Sequence, residues 1–374
     1  MKSNFNYKNI AVLSADMGRG GTQRVLATLS NYLSNEVEVD LLLLKREGQY
    51  LREIDKKVQL MDLNSSRGIF SLIKLIRYLK ERKPDLFIAS MEHLHFISAL
   101  AIFLCRSKVR AIYRLPSNPS YIYKERKHPT LYKTIQYKIL KISLKIIYNL
   151  NFVHAIIVPS EKVKEDFLIH FSLKDTNKLK VIPNPIDTQV LDKVETNVDV
   201  FFKNDFPLVL SMQRFEQEKD NFTLIKSIKE TLKTRNVNFL LLGEGSQESD
   251  LKRLVADLDL EDNVLLPGFY ADPFPILKRA DVFVLSSFAE GMPNSLLQAQ
   301  YFDKPIIATN CNFGPSEILE QGKWGSLVEI GDYLTMSQEI IKALDGKFRN
   351  MPREIFTKKY SAKNIVKQYL KLDE

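Results

Sequence analysis

Short apolar runs alternate with longer amphipathic segments along the whole chain. Each run is rich in Val, Ile and Leu and ends in a turn, which predicts a buried strand. The predicted strands are Ile10–Ser14, Val39–Leu44, Leu86–Ala89, Ala111–Tyr113, Ala155–Val158, Val181–Ile182, Leu208–Ser211, Phe239–Leu242, Val264–Leu266, Val282–Leu285, Ile306–Ala308 and Leu327–Glu329. Near-continuous apolar strands separated by helical patterns are typical of parallel sheets covered on both faces, so the pattern predicts an α/β fold.

The strands form two series, which predicts two Rossmann-like, doubly wound domains. Pro183-Asn184-Pro185 ends the first series, and the polar stretch 192–199 predicts a linker. We therefore assign residues 1–190 to an N-terminal domain and residues 205–345 to a C-terminal domain. Residues 346–374 are mostly helical by pattern, and we expect this segment to pack back on the first domain. Since ligands of doubly wound sheets bind beyond the carboxyl ends of the strands, the two domains are expected to face each other across a cleft.

The most informative segment is 286–298, Ser-Ser-Phe-Ala-Glu-Gly-Met-Pro-Asn-Ser-Leu-Leu-Gln. It follows a predicted strand and opens a predicted helix, so backbone N–H groups and a positive dipole end converge on one point. Such a turn binds anions. Glu290 lies at its tip, where a carboxylate is best explained as an acceptor for hydroxyl groups, and an anion that carries hydroxyls suggests a sugar phosphate. The alternative is an ordinary strand–turn–helix connection.

Two cations follow the first strand of the second series. In Gln213-Arg214-Phe215-Glu216-Gln217-Glu218-Lys219, the guanidinium and the ammonium can clamp a diphosphate. Negative charge grows on a departing diphosphate in the transition state, so such a clamp would speed its departure. The alternative is a charged surface loop in which the neighbouring carboxylates pair with both cations.

Other strand ends carry glycines or polar side chains that indicate a ligand site less specifically. The turn Gly18-Arg19-Gly20-Gly21 allows close backbone approach to a ligand, although a plain strand-to-helix turn fits equally. Gly243-Glu244-Gly245 and Pro267-Gly268-Phe269 end two later strands and predict tight turns. His93 and Arg114 follow strands of the first series and are the polar groups there most suited to face a cleft, with a structural role as the alternative for His93.

Motifs for other chemistries are missing from the sequence. His, Cys and Asp residues do not show metal-ligand spacing, and there is no G-x-S-x-G nucleophile elbow. The chemistry is therefore expected to use fixed dipoles and cations, with neither a metal nor an enzyme nucleophile.

The basic residues are concentrated in one block. The formal net charge is +9, and residues 101–150 contain eleven Lys or Arg but a single acid, Glu125. Inside this block, residues 131–150 place Lys133, Lys138, Lys141 and Lys145 among Ile, Leu and Tyr at helical spacing. A basic amphipathic helix of this kind is attracted to an anionic membrane surface. Nucleic acid is a competing partner, but the aliphatic content of the segment favours lipid. The remaining alternative is a helix with a solvated charged face and an apolar stripe packed in the core.

The sequence predicts a cytoplasmic location. Residues 1–8 lack the apolar region of a signal peptide, and no stretch of 18 apolar residues is free of charge. Cys105 and Cys311 are far apart in sequence, as expected of a protein in a reducing compartment.

Seven motifs, in this order, resemble those of glycosyltransferase family 4, the retaining GT-B enzymes, over nearly the whole chain. They are Gly20-Gly21-Thr22-Gln23-Arg24, Val181-Ile182-Pro183-Asn184-Pro185-Ile186-Asp187, Arg214 with Lys219, Gly243-Glu244-Gly245, Pro267-Gly268-Phe269, Glu290-Gly291-Met292-Pro293 and Gly314-Pro315-Ser316-Glu317-Ile318. The resemblance implies a GT-B fold of two Rossmann-like domains.

The resemblance also implies roles for individual residues. Arg214 and Lys219 would hold the donor diphosphate, and Glu290 would bind hydroxyls of the donor sugar; these three form the implied catalytic set. The implied donor-binding residues are Gly20, Gly21, Gly243, Gly268, Phe269, Gly291, Met292, Pro293, Asn294, Ser295, Leu296 and Gln298. His93 and Arg114 are candidates for the acceptor side.

The chain departs from the family pattern at two positions. The family usually has a second Glu eight positions after the first, which contacts the nucleotide ribose, but this chain has Gln298 there. Glutamine keeps one acceptor oxygen and loses the charge, so we expect an altered ribose contact. Gln213 replaces the glycine that usually precedes Arg214, which affects the expected geometry of that loop.

The expected activity is that of a retaining hexosyl- or N-acetylhexosaminyltransferase. The donor would be a nucleotide diphosphate sugar, UDP-linked in preference to GDP-linked, and the acceptor a lipid-linked or oligosaccharide molecule in the synthesis of bacterial O-antigen, capsule or exopolysaccharide. We expect no cofactor, no metal and no nucleic acid, and a peripheral location on the inner face of the plasma membrane. The alternatives are a catalytically silent partner subunit, for which Gln298 is the motive, and a nucleotide-sugar epimerase of the same architecture.

Overall fold

The computed structural model describes residues 7–65, 68–125, 131–196 and 201–372. The chain forms two compact units, the first made of Met1–Ile186 and Lys359–Glu374 and the second of Asp187–Lys358. The division falls at Ile186, four residues before the expected end of the first domain at residue 190, and the last residues return to the first unit. Part of the expected linker, residues 197–199, lies outside the described residues.

The first unit is built on a seven-stranded parallel sheet in the order β3-β2-β1-β4-β5-β6-β7. Its strands are β1 (Asn9–Ser14), β2 (Glu38–Leu43), β3 (Gln59–Asp62), β4 (Leu86–Ser90), β5 (Arg110–Arg114), β6 (Val153–Val158) and β7 (Leu179–Val181). Six of them match the predicted runs within a few residues. β3 was missed because it is an edge strand that reads Gln-Leu-Met-Asp and carries no buried residue.

Helices cover both faces of this sheet, as the continuous burial of β1, β2 and β4 requires. They are α1 (Gly21–Leu33), α2 (Gly68–Arg82), α3 (Glu92–Cys105), α4 (Leu131–Ile147), α5 (Glu161–His170) and, from the end of the chain, α14 (Ala362–Leu370). α14 buries Ile365, Val366 and Tyr369 in the same apolar cluster as Leu26 and Leu29 of α1.

The second unit has a six-stranded parallel sheet in the order β10-β9-β8-β11-β12-β13. Its strands are β8 (Leu208–Met212), β9 (Asn238–Leu242), β10 (Val264–Gly268), β11 (Val282–Leu285), β12 (Ile306–Thr309) and β13 (Ser326–Val328). Its helices are α6 (Thr188–Asp192), α7 (Asn221–Leu232), α8 (Glu248–Asp257), α9 (Phe274–Arg279), α10 (Asn294–Tyr301), α11 (Pro315–Ile318), α12 (Tyr333–Leu344) and α13 (Arg353–Tyr360). The expected α/β class and the two Rossmann-like sheets are confirmed.

Each sheet has one topological switch point, where neighbouring strands start connections that run in opposite directions. In the first unit it lies between β1 and β4, and in the second between β8 and β11. The gap beyond the carboxyl ends of such a strand pair is the usual ligand site of a doubly wound sheet. The segments to inspect are therefore those that follow these four strands.

Candidate active site

The switch point of the second unit brings together two of the three residues predicted to be catalytic. Lys219 follows β8 and Glu290 follows β11, and Lys219 Nζ donates to Glu290 Oε1 at 2.6 Å. The two side chains are 14% and 8% exposed. Because the pair is shielded from water, removing either group would leave the other as an uncompensated buried charge.

Local structure of the β8–α7 loop places Lys219. The chain makes a single 3₁₀ turn at Gln217–Lys219 and then reverses at Asp220, whose φ of +46° lies in the left-handed region. The Asp220 carboxylate caps α7 by accepting from the N–H of Thr223 at 3.3 Å. Asp is among the residues that tolerate this conformation and favour this capping position, so the sequence fixes where the lysine leaves the backbone.

Ser287 orients Glu290 from its own side. Its Oγ donates to the same carboxylate oxygen, Oε1, at 2.7 Å. The loops after β8 and β11 are also joined through their backbones, since the N–H of Phe288 donates to the carbonyl of Glu218 at 3.0 Å. Glu290 is therefore held by a hydroxyl, an ammonium and the neighbouring loop.

Arg214, the third predicted catalytic residue, lies in the same loop but has a different partner. Its Nη2 donates to Glu218 Oε1 at 2.7 Å, and the arginine side chain is 62% exposed. Exposed pairs of this kind contribute little to stability, so the guanidinium can exchange this carboxylate for another anion at small cost. Lys219 is thus fixed in the site, whereas Arg214 stands at its exposed edge.

The turn predicted to bind an anion opens α10. Pro293 is the N-cap residue in extended conformation, and its side chain forms no capping hydrogen bond to the described chain. The first turn of the helix carries no acidic residue, so its positive end faces the region of Gly291 and Met292 uncompensated by a carboxylate of its own. Asn294, Ser295 and Leu296 form this first turn.

Gly314 explains how the next loop reaches this turn. Its φ is +89°, and a Cβ atom there would lie 2.7 Å from Cδ of Pro293 and 3.0 Å from the carbonyl oxygen of Gly291. Only glycine permits this approach. The segment that begins α11 therefore packs directly against the turn after β11.

Gly243, predicted to bind donor, and its neighbour Gly245 serve the packing of neighbouring loops. A Cβ at Gly243 would lie 1.9 Å from the carbonyl oxygen of Gln213, and one at Gly245 would lie 2.4 Å from that of Phe215. Backbone hydrogen bonds join the same loops, for example from Phe215 N to Glu244 O at 2.9 Å. These glycines let the loop after β9 lie on the loop that carries Arg214 and Lys219.

The remaining predicted donor residues of this unit are Gly268, Phe269 and Gln298. Gly268 ends β10 with a φ of +93° and has open space around its Cα. Phe269 is half-buried beside Tyr270, whose ring contacts Phe201 edge-on at 5.8 Å. Gln298 lies on α10, one turn after its first residue, Asn294, and is buried.

At the switch point of the first unit, the predicted Gly20–Gly21 turn is organised by Asp16. Gly20 is the N-cap residue of α1 and Gly21 its first residue. The Asp16 carboxylate accepts from the N–H of Gly18 at 2.8 Å and from Gln23 Nε2 at 3.2 Å. Sequence reasoning missed Asp16, although a carboxylate two residues before a glycine turn is a recognisable Asx-turn signal.

Met91 is a second residue that the sequence did not reveal. It connects β4 to α3 with a φ of +83°, an outlier for a residue with a side chain. Such strain is concentrated at functional sites, where the surrounding structure holds it. Met91 lies directly before Glu92 and His93, at the carboxyl end of a switch-point strand.

Two neighbouring histidines have different environments. His93 keeps an exposed side chain, although the surrounding protein desolvates its ring and lowers its pKa. His95 is fully buried, and desolvation lowers its pKa to about 3. Its Nδ1 lies 3.1 Å from Tyr148 Oη, and its Nε2 lies 3.2 Å from the carbonyl oxygens of Ala89 and Arg114. The ring is therefore neutral, with the proton on Nε2, and has a structural role.

Arg114, predicted on the acceptor side, is buried at the end of β5. It is 1% exposed, and its Nη2 donates to the side-chain oxygen of Asn184. This contact ties β5 to the Pro-Asn-Pro segment after β7. His93 is consequently the better candidate for contact with an acceptor, because its side chain is accessible.

The described residues contain neither a metal-holding cluster nor a membrane-spanning helix. Within 7–65, 68–125, 131–196 and 201–372, there is no group of three or more His, Cys, Asp or Glu residues placed to hold a metal ion. Among the helices of the same ranges, none is both long and apolar enough to span a bilayer.

Comparison with known proteins places this geometry in a family. The model described as Glycosyltransferase Family 4 matches residues 19–190, and that described as Glycosyl transferases group 1 matches residues 193–361. An uncharacterized glycosyltransferase of Methanocaldococcus jannaschii is 32% identical over 284 residues, which are 71% of this chain and 68% of that protein.

One relative and one solved structure have more informative names. The N-acetylgalactosamine-N,N'-diacetylbacillosaminyl-diphospho-undecaprenol 4-alpha-N-acetylgalactosaminyltransferase of Campylobacter jejuni is 26% identical over 91% of this chain and 92% of its own length. The crystal structure of HepE from Anabaena in complex with UDP and glucose superposes with a TM-score of 0.77 at 17% identity, over 97% of this chain and 98% of that one. At this identity the superposition demonstrates the shared fold only.

Proposed function

This chain belongs to glycosyltransferase family 4, and from that premise we propose that it transfers a sugar from a UDP-sugar to a lipid-linked saccharide with retention of configuration. The observation that carries the proposal is the Lys219–Glu290 pair at the switch point of the second sheet, 2.6 Å long and edged by Arg214. It sets two cations and a sugar-binding carboxylate where a doubly wound sheet binds its ligand.

The donor diphosphate is assigned to the cations and the dipole of α10. Lys219 and Arg214 neutralise the phosphates, and the exposed Arg214 gives up its partner Glu218 to do so. Glu290 accepts hydrogen bonds from hydroxyls of the sugar ring. Its two oxygens can serve Lys219 and a hydroxyl together, so the carboxylate stays paired when the donor binds.

The reaction breaks the bond between the anomeric carbon and the diphosphate oxygen. The acceptor hydroxyl forms its new bond to the same face of that carbon, and its proton goes to the departing phosphate oxygen. The products are UDP and the extended saccharide. Positioning of the reactants and stabilisation of charge on the diphosphate supply most of the rate in this scheme.

The transferred sugar is assigned to the hexose or N-acetylhexosamine class. The Campylobacter relative is named for N-acetylgalactosamine transfer to a diphospho-undecaprenol saccharide, and HepE was crystallised with UDP and glucose. The name of the Campylobacter relative supports a lipid-linked acceptor for this chain, and the UDP bound to HepE supports a UDP donor. Relatives named for amylovoran and capsular polysaccharide biosynthesis support a role in the assembly of a bacterial surface polysaccharide.

The exposed face of α4 supports a peripheral site on an anionic membrane. Ile135, Ile139, Ile142 and Ile146 follow helical spacing and are 48%, 59%, 61% and 64% exposed. They form one narrow ridge on the side of the helix opposite the buried Leu144, whereas a core stripe would have been buried. Exposed large apolar residues that line up in this way mark an interaction surface.

The lysines of α4 divide between this ridge and the protein. Lys138 and Lys145 are exposed beside the isoleucines. Lys141 turns inward, where its Nζ lies 2.8 Å from Nδ1 of His170 and 5.0 Å from the centre of the Tyr123 ring. The side chain of Lys133 lies outside the described residues. Two cations beside an apolar ridge match the headgroups and acyl region of an anionic leaflet.

Neighbouring helices extend the apolar ridge on the same face of the first sheet. α3 packs between α2 and α4. Its outer side exposes Phe96, Leu100, Phe103 and Leu104, and α2 exposes Ile73. The sequence drew attention to residues 131–150 alone; the apolar surface is larger and includes the outer side of α3.

Donor and acceptor panels test the proposed function directly. The purified chain is screened with UDP- and GDP-sugars for protection against thermal unfolding, and the stabilising sugar is then incubated with undecaprenyl-diphosphate-linked saccharides. We expect a UDP-sugar to stabilise, a product one sugar longer, and retained anomeric configuration by NMR. A donor that is converted to another sugar nucleotide without acceptor would identify an epimerase. A chain that binds no donor and forms no product would be a silent subunit.

A further inference from the structure

Gln213 lies between the loops that carry Lys219 and Glu290, and the proposed mechanism does not use it. It is the residue directly after β8, and its side chain is buried. Its Nε2 lies 2.8 Å from Asn221 Oδ1, 2.9 Å from Ser286 Oγ and 3.2 Å from the carbonyl oxygen of Lys219. One amide group therefore joins the loop after β8 to the loop after β11.

The surrounding hydrogen bonds fix which way the amide points. Ser286 Oγ donates its proton to the Lys219 carbonyl at 2.8 Å, so it offers Gln213 only a lone pair. Asn221 Nδ2 donates to the carbonyl of Arg214 at 3.2 Å, which leaves its oxygen facing Gln213. Every near neighbour of Nε2 is thus an acceptor, so this end of the amide is the NH₂ group, whose two protons are shared among the three oxygens.

The other end of the amide faces the Glu290 side of the site. Gln213 Oε1 lies 3.4 Å from Ser287 Oγ, the hydroxyl that donates to Glu290 at 2.7 Å. Ser287 has one proton, and the shorter contact takes it, so Glu290 is the principal acceptor. Gln213 is therefore one contact from Glu290 through Ser287 and in direct contact with the backbone of Lys219.

We infer that Gln213 is a positioning residue, whose amide holds the Lys219 loop and the Glu290 loop at the separation that the diphosphate and the sugar ring require. A glycine at this position has no side chain to join the two loops, so the device is specific to chains that carry an amide here. The inference rests on the proposed function for its kinetic consequence and on the hydrogen-bond network alone for its structural one.

The backbone of Gln213 is held in place by the neighbouring strand of the sheet. The N–H of Gln213 donates to the carbonyl of Leu242 at 3.1 Å, and its own carbonyl closely approaches Gly243. The backbone of Gln213 is thus fixed by β9 before its side chain reaches β11. Because its backbone is fixed, the Gln213 side chain can hold the two loops at a defined separation. This separation matters because displacements of about 1 Å at reacting groups can slow turnover roughly a hundredfold.

Gln213→Met tests the inference because it keeps approximate volume and removes both hydrogen-bonding ends. The matched control is Gln300→Met, since Gln300 is a buried glutamine of α10 whose side-chain atoms make no hydrogen bond to the described chain. We expect kcat to fall by about 10- to 100-fold in Gln213→Met, with an unchanged KM for the acceptor and near wild-type kinetics in Gln300→Met. Turnover within about twofold of wild type in Gln213→Met would overturn the inference.

A double variant separates positioning from a general loss of structure. If Gln213 acts by spacing Lys219 from Glu290, then Gln213→Met should slow the Lys219→Ala enzyme clearly less than it slows wild type, because one of the two groups that it spaces is gone. The same slowing in both backgrounds would show an unrelated structural effect. Should Gln213→Met fail to fold, Ser286→Ala removes the β11 partner of the amide, and turnover equal to wild type in that variant would also count against the inference.

Hydrogen exchange gives a readout that does not depend on any substrate. The N–H of Phe288 bonds across to the Glu218 carbonyl, so it reports on the spacing of the two loops. We expect this amide to exchange at least about tenfold faster in Gln213→Met than in Gln300→Met. Equal exchange would refute the positioning role even if the chain proved to have no transferase activity, and faster exchange in an inactive chain would refute only the proposed function.

Discussion

Lys219 and Glu290 form an ion pair of 2.6 Å although 71 residues separate them in the chain. The pair joins the loop after β8 to the loop after β11, at the switch point of the second sheet. Since both side chains are largely shielded from water, the protein maintains a balanced charge there before any donor arrives. In the proposed function, a diphosphate and a sugar ring would meet a cation and an acceptor that are already in place.

Replacing Lys219 is expected to affect both activity and stability. In Lys219→Ala, the carboxylate of Glu290 loses its counter-charge inside the site, which should cost about 3 kcal/mol in the free energy of unfolding. Turnover should fall about a hundredfold or more, because the diphosphate loses a fixed cation. Steady-state kinetics and chemical denaturation measure the two effects. The control is Lys233→Ala, which removes an exposed lysine paired with Glu230 and should change neither.

Arg214→Ala is expected to separate the same two effects. Its only ion pair among the described residues is with Glu218, and the side chain is 62% exposed, so stability should change by less than about 0.5 kcal/mol. Turnover should still fall about a hundredfold if the guanidinium contacts the departing diphosphate. Normal turnover with the donor that stabilises the wild type would remove Arg214 from the mechanism.

Membrane binding is expected to depend on the isoleucine ridge of α4. The double variant Ile139→Asn/Ile142→Asn should partition several-fold less to vesicles with anionic lipid in a flotation assay, since two inserted side chains become polar. Lys138→Gln/Lys145→Gln should weaken binding by about 1 kcal/mol per lysine and only at low salt. Ile330→Asn is the control, because it alters an exposed isoleucine of the second unit. Equal binding to neutral and anionic vesicles would exclude the electrostatic part of the interaction.

The buried His95 is expected to make the first unit sensitive to acid. Its folded-state pKa of about 3 lies below the usual value of 6.5, so between these values the unfolded chain binds a proton that the folded chain does not. Stability contributed by the neutral ring is therefore complete above pH 6.5 and is lost as the pH falls, by about 1.4 kcal/mol per pH unit.

Two variants check this pH dependence by calorimetry from pH 7 to 4. His95→Gln should flatten the fall in stability, because it removes the titrating group. Tyr148→Phe removes the hydroxyl bonded to Nδ1 and should lower stability at every pH while it preserves the slope. The same slope in His95→Gln and wild type would mean that other groups cause the acid sensitivity.

Two glycines in the second unit should respond differently to alanine. Gly243→Ala brings a methyl group to 1.9 Å from a backbone oxygen that cannot move aside, which should cost about 3 kcal/mol or more and disturb the β8 loop. Gly268→Ala meets open space and should cost only about 1–2 kcal/mol for its positive φ. Denaturation midpoints of the two variants measure the difference. Equal costs would mean that the approach of the two loops is not tight.

The helical end of the chain shows where a pattern becomes ambiguous. Residues 346–374 were expected to pack on the first domain, but they form two helices. Most of α13, which ends at Tyr360, belongs to the second unit, whereas α14, which begins at Ala362, belongs to the first. Only the closing part, from Lys359, belongs to the first unit. Both segments are amphipathic, so periodicity identifies them as helices but does not tell which core each one joins.

The sequence alone determined the class of fold and twelve of the thirteen described strands, because these depend on local pattern and on turns at strand ends. The tertiary structure decided which charges meet. It paired Lys219 with Glu290, turned Arg214 toward Glu218 and buried Arg114 against Asn184. It also left the isoleucines of α4 exposed, where the sequence allowed a core stripe as well. The reason is physical: local pattern fixes the direction and register of each element, whereas the partner of a side chain depends on the neighbours that the sheet order brings to it.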